Sequence, residues 1–181
     1  GSSGEGHLMS LEERKKVLEI VLEAVGKRCP VVAHIGCQRT ADSVELAKHA
    51  HMKGAAAISA LPPVFYRYTI DELTAYYLEI MDAVPLPFIV YNAPALTGIF
   101  FDHENIARIF SHPNARGMKY TSYDMYRMQR LMSRYPDKVM INGHDETYLG
   151  SLALGVRCAI GSTLNFLLAN FKKIDACFSS G

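Results

Sequence analysis

The sequence has almost no excess of charge of either sign. Its 181 residues include 19 Lys and Arg against 18 Asp and Glu, for a formal net charge of +1. This balance gives no electrostatic reason to expect binding to nucleic acid or to a membrane surface. Long apolar runs are also missing: Gly54–Leu61 is among the longest, whereas a membrane-spanning helix needs about 20 apolar residues. The composition therefore predicts neither nucleic acid nor a membrane as a partner.

Cysteine is scarce and shows no metal-binding pattern. Four cysteines stand at positions 29, 37, 158 and 177, without a C-x-x-C pair or the spacing of a zinc finger. They are expected to be free thiols in a reducing compartment. No charged segment followed by an apolar stretch opens the chain, so no signal peptide is predicted. These features favour a cytoplasmic protein.

Short apolar segments alternate with longer segments that carry helix signals. Capping boxes at Ser10–Glu13 and Thr69–Glu72 predict two helix starts. Gly26 is predicted to end the first helix, and Thr40 and Asp102 are predicted N-caps of two more. Apolar strands separated by helices are typical of a parallel sheet covered on both faces. The predicted strands are Val31–Ile35, Ala55–Ala60, Phe88–Tyr91, Gly117–Tyr120, Val139–Ile141 and Cys158–Ile160.

This alternation predicts an α/β fold, a (β/α)8 barrel of which the chain carries one leading helix and six strand–helix units. A hydrophobic fraction of 49% over 181 residues supports one core and therefore a single domain, residues 1–181. A complete barrel takes about 250 residues, so two strands and one helix are expected to be missing before Gly1. A doubly wound open sheet is the competing architecture, but no G-x-G-x-x-G motif follows a predicted strand.

Lys119 is the strongest candidate for chemistry. It lies near the carboxyl end of the predicted strand Gly117–Tyr120, where its side chain can point into a barrel. Desolvation favours the neutral form of a lysine, and a neutral amine can attack a ketone to form a Schiff base. The alternative is a lysine that extends its ammonium group into solvent. Tyr91 also ends a strand, and a phenol beside an imine can relay protons, although a single tyrosine is more often a packing residue.

Three further segments offer polar groups at the ends of predicted elements. Asp145 and Glu146 follow a strand and could accept hydrogen bonds from sugar hydroxyls or cap the next helix. The small residues of Gly161–Thr163 allow a ligand close to the backbone, or form an ordinary turn. The serines and amides of Gly1–Glu5 could hold a substrate carboxylate, although Gly1–Gly4 could also be the remnant of an expression tag.

These candidates have one property in common. Each lies at the carboxyl end of a strand or in a loop next to it, and in a barrel all such positions share the catalytic face. The sequence therefore predicts a single site that combines Lys119, Tyr91 and the three polar segments. A metal site is not predicted, since only His144 with Asp145 and Glu146 approaches the cluster that a metal-dependent aldolase needs.

The chain resembles the superfamily of class I aldolases that contains N-acetylneuraminate lyase and dihydrodipicolinate synthase, over essentially all 181 residues. Within it, Leu96 stands where dihydrodipicolinate synthases carry an arginine, and Gly143–Glu146 is similar to the motif with which the lyases bind the polyhydroxyl tail of sialic acid. The resemblance therefore favours the lyases and weighs against the tag interpretation. The matching motifs are Gly1–Glu5, Tyr91–Gly98, Gly117–Ser122 and Gly161–Thr163.

The resemblance implies a role for each site residue. Lys119 would form the Schiff base and Tyr91 would relay protons. The implied reaction is the reversible cleavage of N-acetylneuraminate to N-acetylmannosamine and pyruvate, with the imine as electron sink and no metal or organic cofactor. The implied protein is a cytoplasmic homotetramer. Ser2 and Ser3 (usually a threonine in the family) would bind the pyruvate carboxylate, and the sugar portion would contact Thr121, Gly143, Asp145, Glu146 and Ser162.

The sequence departs from the family pattern in two ways. Phe65 stands where members often place a tyrosine that reaches into a neighbouring subunit's site, which leaves the adjacent Tyr66 as its candidate replacement. The family's first strand, first helix and second strand would also precede Gly1, and a helical region would follow Gly181, so a longer polypeptide is expected. Two alternatives stay open: another Schiff-base aldolase, such as dihydrodipicolinate synthase, and a non-catalytic barrel that binds a sugar acid or a protein partner.

Overall fold

The computed structural model describes residues 1–181 without a gap. Six short parallel strands form one sheet, in which neighbours in sequence are neighbours in space. A doubly wound sheet would reverse its strand order at a switch point, so the sequential order agrees with part of a (β/α)8 barrel wall and confirms the predicted fold class. The strands are β1 (Val32–His34), β2 (Ala57–Ala60), β3 (Phe88–Asn92), β4 (Ala115–Tyr120), β5 (Val139–Asn142) and β6 (Cys158–Ala159).

Helices connect the strands and cover one face of the sheet. Two of the longer helices, α2 and α3, pack against each other, and α1 packs against α2. No helix combines the length and the hydropathy needed to cross a membrane. The α-helices are α1 (Leu11–Val25), α2 (Thr40–Lys53), α3 (Ile70–Ala83), α4 (Pro94–Thr97), α5 (Ala107–Phe110), α6 (Met125–Arg134), α7 (Tyr148–Ala153) and α8 (Leu164–Ser179), and Ser2–Gly4 and Asp145–Thr147 form 3-10 turns.

Local capping explains where several helices begin and end. Ser10 and Thr69 both form complete capping boxes, because each side chain accepts from the third amide of its helix and the glutamate there accepts from the cap residue. Gly26 ends α1 with a positive φ of 57° and donates its N–H to the carbonyl of Leu22. These three predictions are confirmed.

The two remaining cap predictions need correction. Arg39, and not Thr40, occupies the N-cap of α2, and no side chain caps this helix. Asp102 does cap a turn, since its carboxylate accepts from the amides of Glu104 and Asn105, both at 2.9 Å. That turn is not α-helical, and the α-helix begins only at Ala107. A cap side chain alone does not establish how far the helix behind it extends.

Alternation along the strands separates the core from the site. Register pairs Ala60 with Val90, Val90 with Met118 and Met118 with Met140, and all four side chains are buried in the main hydrophobic core. Full burial of an aliphatic side chain contributes about 1.5–3 kcal/mol, so this layer anchors the helices to the sheet. The alternate positions face the opposite side, the interior of the barrel wall. On that inner face, Tyr91 pairs with Lys119.

Candidate active site

Lys119 and Tyr91 meet at the carboxyl ends of β4 and β3. They are direct partners in the parallel register, and the Lys119 Nζ atom lies 4.0 Å from the centroid of the Tyr91 ring. Lys119 is only 9% exposed. The inner-face position therefore keeps the amine out of bulk solvent and against an aromatic face, which attracts a cation.

The phenol of Tyr91 differs from the other buried tyrosines. Burial would raise its pKa, but a hydrogen bond with the Ser2 hydroxyl at 3.2 Å and the positive charge of Lys119 outweigh that effect. The pKa of Tyr91 is consequently lowered from 10. By contrast, burial raises the pKa of Tyr76, deep in the core, to about 12. Of the Tyr91 and Tyr76 phenols, that of Tyr91 therefore has the pKa better suited to proton exchange.

Lys119 and Tyr91 open into a cavity of about 460 Å³. Four of the nine predicted site residues lie in its wall, namely Ser2, Ser3, Tyr91 and Lys119. The other five, Thr121, Gly143, Asp145, Glu146 and Ser162, do not line it. Its lining also includes polar residues that the sequence analysis did not select, namely His34, Ser59 and Asn165. The lining residues are Gly1, Ser2, Ser3, Gly4, Val32, His34, Ser59, Tyr91, Lys119, Ile160, Gly161 and Asn165.

The Ser2–Gly4 turn forms part of the wall of this cavity. Ser2 bonds to the Tyr91 hydroxyl, and the Ser3 Oγ lies 2.5 Å from the Ser162 Oγ. Glu5 ends the turn with a φ of 54°, in the left-handed region that few residues other than glycine adopt. Its N–H bonds back to the Ser2 carbonyl at 3.0 Å. Two serine hydroxyls are thereby held at the cavity, where they can donate to an anion.

Thr121 and Gly143 lie against each other at the ends of β4 and β5. A Cβ atom on Gly143 would stand 2.1 Å from the Thr121 Oγ1 atom, so no side chain fits there. The Thr121 Oγ1 atom is buried and has no hydrogen-bond partner. Buried hydroxyls are nearly always bonded in folded proteins, and this one lies close enough to the Tyr91 phenol to help lower its pKa.

Asp145 and Glu146 have different environments, although they are neighbours. The Asp145 carboxylate accepts from the Thr163 N–H and the Thr163 hydroxyl, both at 2.8 Å. Gly161 makes room for it, since a Cβ atom there would stand 1.4 Å from an Asp145 oxygen. Asp145 therefore joins two loops of the site and does not cap the following helix, whose N-cap is Thr147. The Glu146 side chain is 70% exposed and can turn toward a ligand.

No group of three or more His, Cys, Asp or Glu side chains lies close enough together to hold a metal ion. The sequence analysis named His144, Asp145 and Glu146 as the nearest approach to a metal-binding cluster. In the structure, the Asp145 carboxylate bonds to Thr163 instead. His144 instead stacks on Tyr123, with ring centroids 4.3 Å apart, and lies 4.0 Å from a Glu146 oxygen.

His34 is the main site residue that the sequence analysis missed. The predicted strand ran to Ile35, which placed His34 inside it, but β1 ends at His34. Its Nε2 atom accepts a hydrogen bond from the Leu61 N–H at 3.1 Å. Burial, reinforced by nearby positive charges that include Arg14, lowers the pKa of His34 well below 6.5. Strand alternation applied from the true strand end would have placed this histidine on the inner face.

Three further residues of the sequence analysis also lie outside the cavity lining: Phe65 and Tyr66, considered for a neighbouring subunit's site, and Leu96, considered for substrate class. Phe65 and Tyr66 are exposed in the loop after β2 and stack edge to face on each other, with ring centroids 4.9 Å apart. Neither reaches the Tyr91 phenol within this chain. Leu96, on the short helix α4 that follows Tyr91, is half-exposed.

Known proteins share this arrangement of strands and helices. The sequence profile of the dihydrodipicolinate synthetase family matches residues 1–181. Among curated proteins, the N-acetylneuraminate lyase of Rhizobium meliloti (strain 1021) is 41% identical over 181 residues, which is 100% of this chain and 60% of the relative. The chain thus spans about 60% of the length of the curated relatives it matches.

Solved structures agree with the sequence relatives. The wild-type sialic acid aldolase of Ruminococcus gnavus superposes with a TM-score of 0.96 at 33% identity, covering 100% of this chain and 61% of that one. Its catalytic lysine mutant matches with the same TM-score at 32% identity, over 100% of this chain and 60% of that one. A prophage protein of the dihydrodipicolinic acid synthase family from Escherichia coli K12, solved with pyruvate, superposes with a TM-score of 0.87 at 28% identity, over 92% and 58%.

Proposed function

Because the chain belongs to the dihydrodipicolinate synthetase family, we propose that it carries the Schiff-base site of an aldolase that reversibly cleaves N-acetylneuraminate to N-acetylmannosamine and pyruvate. The observation that carries this proposal is the Lys119–Tyr91 pair, a buried amine 4.0 Å from the ring of a phenol with a lowered pKa. An amine that is to act as a nucleophile needs a proton-transfer group beside it.

In the proposed reaction, Ser2 and Ser3 donate hydrogen bonds to the carboxylate of the keto acid. The Lys119 amine attacks the ketone carbon, and the resulting carbinolamine loses water to leave a C=N bond. The Tyr91 phenol delivers the proton that the departing hydroxyl needs. Its hydrogen bond with Ser2 places it between the lysine and the carboxylate-binding turn, which supports this role.

The protonated imine then accepts the electron pair of the carbon–carbon bond that breaks. The sugar hydroxyl next to that bond gives up its proton to the base, which we assign to Tyr91, and becomes the aldehyde of N-acetylmannosamine. The electron pair becomes an enamine on Lys119, which takes up a proton at its methylene carbon. Addition of water then releases pyruvate and regenerates the amine. The lysine itself supplies the electron sink, so we propose that no metal or organic cofactor takes part.

The sugar portion is proposed to bind at the ends of β4 and β5. The Thr121 hydroxyl and the exposed Glu146 carboxylate supply a donor and an acceptor. Gly143 has no side chain and so lets the loop after β5 lie against Thr121. Asp145 supports this site through Thr163, and Ser162 supports it through Ser3. Leu96 carries no charge, which favours a polyhydroxyl substrate over one with a second carboxylate. We further propose a cytoplasmic homotetramer, on the resemblance to the family.

A coupled assay tests this function. Pyruvate released from N-acetylneuraminate is measured with lactate dehydrogenase, for the protein and for a Lys119→Arg variant that keeps the charge but lacks a nucleophilic amine. Pyruvate release by the parent alone supports the proposal. Condensation of pyruvate with aspartate semialdehyde, but no release from N-acetylneuraminate, would show a different aldolase of the family. Equal rates for parent and variant would contradict the mechanism.

A further inference from the structure

His34 is a buried ionisable residue of the cavity that the proposed mechanism does not use. It is the last residue of β1 and lines the same cavity as Lys119, Tyr91 and Ser2. The centroid of its imidazole ring lies 6.1 Å from the centroid of the Tyr91 ring, at an interplanar angle of 83°. This is the edge-to-face arrangement that aromatic pairs prefer.

The imidazole is held by the backbone of the next strand. Its Nε2 atom accepts from the Leu61 N–H, and its Nδ1 atom lies 3.5 Å from the Arg14 guanidinium. The His34 carbonyl accepts from the Arg14 guanidinium at 2.9 Å, which fixes the strand end from the side of α1. Ring and backbone of His34 are thus both tied to elements outside the catalytic pair.

Leu61 contacts both His34 and Tyr91. Its side chain packs with Tyr91 and Ala93 in a small hydrophobic cluster, while its amide bonds to His34. The Tyr91 ring is therefore bounded by Leu61, by the imidazole edge and by the Lys119 amine. Without the imidazole, a gap would open beside the ring, and the amide of Leu61 would lose its partner.

We propose that His34 is a positioning residue for Tyr91, which holds the phenol ring in register with Lys119 and Ser2 for proton transfer. The predicted effect of His34 on proton transfer rests on the proposed function. The placement of the Tyr91 ring by His34 does not depend on that function. His34 carries no reacting proton and touches no reacting atom in this role.

The chemical test compares two steps at Lys119 in His34→Ala and His34→Gln. Borohydride trapping of pyruvate reports imine formation, and deuterium exchange into the pyruvate methyl group in D2O reports proton transfer through the enamine. At long incubation we expect His34→Ala to be trapped to the same extent as the parent, because a slower dehydration still reaches equilibrium. Its exchange should be about 10- to 100-fold slower, the scale of loss when a catalytic group is misplaced. His34→Gln, which keeps an acceptor for Leu61, should recover most of the exchange rate.

A replacement of the exposed His51, on α2, serves as the control and should change neither step. A merely structural role of His34 would lower trapping and exchange together, in proportion to the loss of folded protein. Unchanged exchange in folded His34→Ala would overturn the proposal.

A spectroscopic readout separates this inference from the proposed function. With tyrosine labelled with ¹³C at Cζ, the Tyr91 resonance is the one lost in Tyr91→Phe. We expect its titration to move toward pH 10 in His34→Ala, because a displaced phenol leaves Ser2 and Lys119, which lower its pKa. An unchanged Tyr91 resonance and titration would refute the positioning role even if no imine forms in the parent. Absence of imine with a shifted resonance would count against the proposed function alone.

Discussion

The Lys119 amine lies 4.0 Å from the centroid of the Tyr91 ring, and the two residues are direct partners in the register of β3 and β4. Parallel pairing places both side chains on the inner face of the sheet at the same height. The proposed nucleophile and the proposed proton relay are thus brought together by strand register alone, and the relationship does not depend on the conformation of a loop.

Tyr91→Phe is expected to slow the reaction while Lys119 keeps its ability to form the imine. The phenylalanine ring keeps the contact with Lys119 but removes the hydroxyl that bonds to Ser2. Loss of a general acid or base costs about 10²- to 10⁴-fold in rate, so pyruvate release should fall by that factor. Borohydride trapping should become slower but should still label Lys119 at long incubation. Steady-state kinetics and peptide mass spectrometry measure the two effects. A variant with normal pyruvate release would remove Tyr91 from the mechanism.

Ser2→Ala is expected to raise the pKa of Tyr91. The Ser2 hydrogen bond lowers that pKa against the opposing effect of burial, so without it the phenol should titrate at higher pH. The alkaline limb of the pH–rate profile that reports Tyr91 should move upward, and tyrosine ¹³C titration should show the same direction. Ser3→Ala is the matched control, because Ser3 bonds to Ser162 and not to Tyr91. A downward shift in Ser2→Ala, or equal shifts in both variants, would contradict the assignment.

The strands, their order and the position of Lys119 on the inner face could be predicted from the sequence, because apolar segments of strand length alternate with helices that begin at clear capping boxes. Tyr91 stood out for the same reason, as the last residue of an apolar strand. Both predictions use local patterns, and barrel geometry then places all strand ends on one face.

Contacts between distant segments could not be predicted in this way. The hydrogen bonds from Thr163 to Asp145 join residues 18 positions apart in two different loops, and residue type alone allowed either a cap or a sugar ligand. The place of His34 depended on whether β1 ends at residue 34 or 35, a difference within the usual uncertainty of strand ends. Thr40 shows the same limit, since it has the chemistry of an N-cap but lies inside the first turn of α2.

Asp145→Ala is expected to destabilise the protein by about 1.5–3 kcal/mol, the range for a hydrogen bond to a charged group. It removes both bonds from Thr163 and frees the loop that carries Ser162. Thr163→Val should have a smaller effect, since its amide can still bond to the carboxylate. Urea unfolding without substrate measures both changes. The exposed Glu146→Gln is the control and should stay within about 0.5 kcal/mol of the parent; an equal loss there would argue against a special role for Asp145.

Leu96→Arg is expected to shift substrate preference toward aldehydes that carry a carboxylate. Leu96 is half-exposed on the helix that follows Tyr91, so a guanidinium at this position can reach a ligand without disturbing the core. The ratio of kcat/KM for N-acetylneuraminate cleavage to that for condensation with aspartate semialdehyde measures the shift. Leu96→Met, which adds no charge, should leave the ratio unchanged. The same ratio in Leu96→Arg would show that this residue does not set the substrate class.

Trapping of the imine tests the central claim most directly. The protein is incubated with pyruvate and sodium borohydride, and the modified peptide is identified by mass spectrometry. The structure predicts one reduced pyruvate adduct, on Lys119. The adduct should be absent in Lys119→Arg and should diminish when pyruvate is removed by dialysis before borohydride is added. An adduct distributed over exposed lysines, or a folded protein that gains no mass, would contradict the Schiff-base account.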